Sequence, residues 1–155
     1  MAGGRSVLGG KAVAKPNFDF TAGGAFGDVF SNYQTFLALS QAFEDTGVRA
    51  YKGQAGNLMS NDQILTTALQ IHSVEARHAA EVRRIRGEKG WISGDSRGSL
   101  PAPTQPVYSG EGNTTQGGAN LNGLAGLSNA AITEAFDEPL SKETVLAIAS
   151  LFIRK

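Results

Sequence analysis

Two stretches of this chain repeat their apolar residues at helical spacing. At about 100° per residue, Tyr33, Leu37, Ser40, Glu44, Val48 and Tyr51 share one face of the first, with Phe36 and Ala38 flanking it. Ile64, Ala68, Ile71, Glu75, His78 and Val82 share one face of the second. The first helix is predicted from about Val29 or Asn32 to Tyr51, with Gly53 and Gly56 ending it and making the turn. The second is predicted to start at a Ser60 N-cap, with Gln63 completing a capping box and Asp62 at the positive helix end. It runs to Ile85 or Arg86 and stops at Gly87. Two long helices joined by so short a turn pack as an antiparallel hairpin, here residues 29–87.

The flanks read differently. Residues 1–28 form an N-terminal arm: the apolar patches Val7-Leu8 and Ala12-Val13-Ala14, a break at Pro16, an extended piece from Asn17 to Phe20, and a glycine-rich loop with Phe26 as its anchor. Residues 88–127 lack periodicity and contain Pro101, Pro103 and Pro106. A loop that long in a compact domain tends to be functional or tightly packed, and Trp91, Val107 and Tyr108 are its candidate pins. Asn113-Thr114-Thr115 spells a glycosylation sequon but reads as turn chemistry. Residues 128–155 hold two shorter helices: Ser128 caps one over Asn129 to Phe136, and Ser141 caps the other over Lys142 to Phe152. Val145, Ile148, Ala149 and Phe152 form the face by which the last helix docks on the hairpin. The fold class is all-α, in one domain of 155 residues.

Composition narrows the function. Formal net charge is +0, so no field favours nucleic acid or an anionic membrane. No apolar run approaches the roughly 18 residues of a membrane-spanning helix. Cysteine is absent, which removes disulfides, thiolate metal sites and cysteine nucleophiles. Met1 to Gly10 lacks the charged-then-apolar order of a signal peptide, and the compartment stays open. The 20 glycines concentrate outside the two long helices.

The chemistry lies in what interrupts the apolar stripes. A carboxylate and an imidazole amid apolar positions are costly unless compensated, by a metal ion or by a hydrogen-bonded pair. In an antiparallel hairpin the middles of the two helices face each other, which brings Glu44 opposite Glu75 and His78. Residues i and i+3 project from adjacent turns, so Glu75 and His78 can reach one ion. Ferritin-like di-metal bundles use one Glu from each of two helices and a Glu-x-x-His from each of the other two, and this hairpin holds half of that set. For Glu44 the alternative is a carboxylate hydrogen-bonded to Tyr51 or Arg49. His72 reads as a supporting or interface residue, Glu81 as solvated, and Arg83, Arg84 and Arg86 as a charge pattern at the helix C-terminus.

The run Phe43-Glu44-Asp45-Thr46-Gly47-Val48-Arg49-Ala50-Tyr51-Lys52-Gly53 resembles the third-helix signature of the ferritin-like domain family that includes plant desiccation-related proteins and their bacterial relatives. Val74-Glu75-Ala76-Arg77-His78-Ala79 resembles that family's fourth-helix motif, and Ala135-Phe136-Asp137-Glu138-Pro139-Leu140 leading into Val145 to Ile148 resembles its tail. The resemblance implies that nearly all of the chain corresponds to the C-terminal half of the family domain, with Val7 to Pro16 as the exit of a second family helix. It implies an antiparallel hairpin equivalent to half of a ferritin-like four-helix bundle, with Glu44, Glu75 and His78 as metal ligands and iron or manganese as the ion. A homo-oligomer, or a second chain supplying the missing helices, would complete the site. Two functions follow from the resemblance: a structural or stress-related bundle protein that retains metal binding, and a di-iron protein that oxidises Fe(II) once its bundle is complete. Whether the chain is an enzyme is left open, and export to the periplasm is implied by the bacterial relatives alone.

Overall fold

The computed structural model describes residues 9–154, so the reading of Val7-Leu8 as an apolar patch at the exit of a second family helix lies outside the described residues. Two long helices dominate: α1, Tyr33–Ala55, and α2, Asp62–Ile85. Asn32 caps α1, its side-chain oxygen accepting from Gln34 N at 3.0 Å and Thr35 N at 3.4 Å. Asp28 fixes that cap by accepting from Asn32 Nδ2 at 2.8 Å, which keeps Val29 in the preceding turn.

Two punctuation marks differ from the sequence reading. Gly53 lies inside α1, and the helix closes at Gly56 into a tight turn, Gly56–Leu58. Asn61, not Ser60, caps α2: Asn61 N donates to Leu58 O at 2.9 Å, which holds Ser60 within the turn and presents the Asn61 side chain to Ile64 N at 3.0 Å. With the cap at Asn61, Gln63 falls one position short of a capping box. The other end behaves as read. Gly87 takes φ +75°, and Gly87 N and Glu88 N bond Arg84 O and Arg83 O at 3.1 and 2.9 Å, a Schellman closure.

Cross-helix contacts give the orientation. His72 and His78 on α2 and Arg86 just beyond its end meet Val48, Glu44 and Gln41 on α1, so partners descend as α2 ascends. The pair is antiparallel and forms a partial helical bundle with the shorter helices that follow.

α1 buries a second stripe that its hydropathy hides. Ala38, Ala42, Asp45 and Arg49 repeat at three- and four-residue spacing and are all buried. The C-terminal part of the chain packs there, with Ile92, Leu100, Val107, Tyr108, Leu140 and Ile148 closing the core over Ala38 and Ala42. Val107 and Tyr108 are therefore anchors as read, whereas Trp91 is half-exposed and Ile92 beside it is the buried residue. The segment 88–127 is less irregular than its sequence: it holds a tight helical turn, Ala102–Val107, and a small antiparallel ladder of β1, Thr115–Gln116, with β2, Ala119–Asn120. Asn113 makes the turn before the ladder, its side-chain oxygen accepting from Thr115 N at 2.9 Å.

Two short helices complete the fold: α3, Asn129–Thr133, and α4, Lys142–Ser150. Ser128 and Ser141 cap them as read, but both end before Phe136 and Phe152. Phe152 leaves the helix to pack against Phe26 and Phe43, with ring centroids 6.0 and 4.7 Å away. The N-terminal arm is extended at Phe18, which bridges Ile153, so Asn17 to Asp19 of the arm pair with the C-terminal residues 152–154. Among the described residues no helix is long and apolar enough to cross a membrane.

Candidate metal centre

The hairpin brings Glu44, Glu75 and His78 together. One ligand atom from each lies within 4.8 Å of the other two. His78 Nδ1 donates to Glu44 Oε2 at 3.2 Å, and the His78 side chain remains 57% exposed, so the cluster opens to solvent on one side. Neither alternative partner of Glu44 is used. Arg49 is buried on the opposite side of α1, and Glu44 pairs with His78 and Glu75.

Burial pushes the Glu75 carboxyl up to about 7, and the hydrogen bond and charge of Glu44 add to the effect. Two carboxylates side by side hold either a shared proton or a cation. The half-buried Tyr51 hydroxyl is raised too, by burial first and then by the Glu75 charge.

Gly47 makes room for this arrangement. It sits in the interior of α1, where glycine is a poor helix former. A Cβ built there would lie 3.1 Å from Glu75 Cδ and Oε2 and 3.3 Å from Cγ. The bare backbone thus forms a cradle in which the Glu75 side chain lies against α1. Two oxygen donors and one imidazole suit a divalent first-row cation, iron and manganese among them, so the donor set fits the implied metal.

His72 stands outside the cluster. Its Nδ1 donates to Val48 O at 3.0 Å and ties α2 to α1 one turn away. Glu81 is exposed and pairs with Arg84 at 2.5 Å.

Two further ionic groups escaped the sequence reading. Arg83 and Arg86 are not a simple terminal charge pattern. Arg83 is buried and bonds both oxygens of Asp45, at 2.7 and 2.5 Å, while the Tyr108 hydroxyl donates to Asp45 Oδ2 at 2.6 Å. Burial lowers the Arg83 pKa, but the Asp45 hydrogen bonds outweigh it and raise the group overall. Burial pushes Tyr108 upward as well, with the Asp45 charge behind it. Arg86 donates to Gln41 Oε1 at 2.6 Å. On the next turn of α1, Arg49 is 1% exposed and meets the Glu111 carboxylate at 2.6 Å, and its guanidinium also donates to the carbonyls of Val107, Ser109 and Glu138. Burial raises the Glu111 carboxyl to about 7 against the pull of Arg49. The signal available in sequence was spacing: Asp45 and Arg49 lie in register with Ala38 and Ala42.

Helix pair, tail and cluster together define a partial helical bundle with an acid–imidazole group between its two long helices. The family model described as Ferritin-like domain matches residues 4–88, more than half of the chain, and the protein belongs to that family. That span corrects the resemblance drawn from the motifs. The family portion is the N-terminal part of this chain, ending just after α2, and not a third-and-fourth-helix pair with its tail; residues 89–155 lie outside it. No curated protein and no solved structure matches the chain.

Proposed function

We propose that this protein is a metal-binding bundle protein in which Glu44, Glu75 and His78 hold an iron or manganese ion, and that a second helical pair completes the site. The observation that carries the reading is the convergence of the three ligand atoms within 4.8 Å on the open side of the hairpin. Three protein donors leave coordination positions free, and half of a paired Glu and Glu-x-x-His set is present. A second copy of the chain would supply an equivalent Glu44, Glu75 and His78, which makes a homo-oligomer the simplest completion. Iron held there supplies redox chemistry, including Fe(II) oxidation by oxygen. The chain's own part is to orient the Glu75 carboxylate against Gly47 and to leave His78 accessible to solvent.

A structural role without metal has its own support. The buried Asp45–Arg83 pair ties α1 to α2, and the Arg49–Glu111 pair holds the segment after α2 to α1, both away from the cluster. Metal analysis of the purified protein separates the readings. Bound iron or manganese that falls in His78→Ala, with a mass in solution above that of one chain, supports metal-dependent assembly. Protein that takes up no iron, manganese or zinc leaves the structural role.

A further inference from the structure

The only tryptophan of the chain stands outside the core, on a polar cleft that the metal cluster does not reach. The cleft measures about 280 Å³, and Trp91, Ile92, Lys89, Ser96 and Arg97 are among the residues that line it. Its charges are paired one by one. Arg83 is bound to Asp45, and Glu88 lies 3.2 Å from Arg86. Lys89 lies 2.7 Å from Glu134, whose carboxyl is held down at about 2 by hydrogen bonds from Lys89 and Ser93, with Trp91 contributing.

Arg97 is the exception. Among the described residues no carboxylate pairs with its half-buried guanidinium, and its Nε is buried without a hydrogen-bond partner. Leaving such a group unmatched is costly, whereas Arg77 and Arg154 are exposed and water serves them. One positive charge is left in a cleft that Trp91 and the buried Ile92 also line.

We infer that this cleft binds a small organic monocarboxylate, with its carboxylate on the Arg97 guanidinium and its hydrocarbon body against Trp91. The planar guanidinium matches a carboxylate in shape as well as charge, and a single anion neutralises the single unpaired cation. The indole, half-exposed at 53%, offers the apolar surface.

Trp91 reports on its own site, because no other tryptophan contributes to the emission. Sodium cyclohexanecarboxylate is titrated at constant ionic strength while tryptophan fluorescence is followed. Cyclohexanemethanol and inorganic phosphate serve as comparators, the first lacking the charge and the second the hydrocarbon. The expected result is a saturable change with the carboxylate alone, and a Kd weakened about tenfold or more in Arg97→Gln. Arg97→Lys, which keeps the charge without the planar fork, falls between the two. Unaltered far-UV circular dichroism and Tm establish that both variants are folded. Absence of saturation up to roughly ten millimolar, an unchanged Kd in Arg97→Gln, or tighter saturation by phosphate overturns the inference.

Discussion

Gly47→Ala separates what the first helix needs from what the cluster needs, because the two respond in opposite directions. In a helix interior alanine is favoured over glycine by about 0.5–1 kcal/mol. The added Cβ would sit 3.1 Å from Glu75 Cδ and Oε2, so the carboxylate has to withdraw by a few tenths of an ångström. Those atoms are the end of a flexible side chain, and a free Glu75 yields at little cost. Chelator-treated Gly47→Ala should therefore be more stable than wild type by about 0.5 kcal/mol, which is about 1–2 °C in Tm for a domain of this size. Metal binding should move the other way. Coordination distances hold to about 0.2 Å, so the same withdrawal exceeds what the ion tolerates. Disturbing groups that orient a metal ligand weakens binding about 10- to 100-fold, and the lower end applies here because Glu75 is shifted and not removed. Urea denaturation without metal and calorimetric titration with Mn(II) read the two quantities separately. A destabilised variant with undiminished Mn(II) affinity would refute the cradle.

Asp45→Ala leaves Arg83 buried without its bidentate partner, and urea denaturation should show a loss of about 3–5 kcal/mol, far more than any exposed pair contributes. Gly53→Ala has the opposite sign to Gly47→Ala, because its Cβ would collide with the Leu140 carbonyl oxygen and backbone cannot rotate aside. A net loss of about 1–3 kcal/mol is expected, with faster hydrogen exchange at Leu140 N, which bonds Arg49 O at 3.1 Å. Glu134 sets an acid-side dependence: its folded pKa of about 2 lies below the ordinary 4.5, so its contribution is complete above 4.5 and disappears as pH falls toward 2. Tm measured between pH 5 and 2 should fall less steeply in Glu134→Gln than in wild type.

The hairpin was legible because its helices are long and periodic and because Gly87 marks the end of the second. Glu44, Glu75 and His78 could be brought together from spacing alone, since antiparallel packing forces the helix middles to face each other. What stayed hidden was the second buried face of α1. Asp45 and Arg49 look like solvent-facing residues until Arg83, Tyr108 and Glu111 supply their partners, and those partners lie as many as 63 positions along the chain. Ser60 misled for a local reason: the turn that closes on Leu58 O selects Asn61 for the cap. Trp91 misled because a large aromatic normally buries itself, while here its smaller neighbour Ile92 does. The motif resemblance extended into the tail, but the family match ends at residue 88.

The central claim is that His78 and the two glutamates coordinate a metal. Electron spin-echo spectroscopy of Mn(II)-loaded protein tests it directly, since an imidazole nitrogen bound to the ion modulates the echo and water does not. The expected spectrum carries nitrogen modulation that vanishes in His78→Gln and persists in His72→Gln. An ion that shows only water and carboxylate oxygens, or modulation that survives His78→Gln, would contradict the claim.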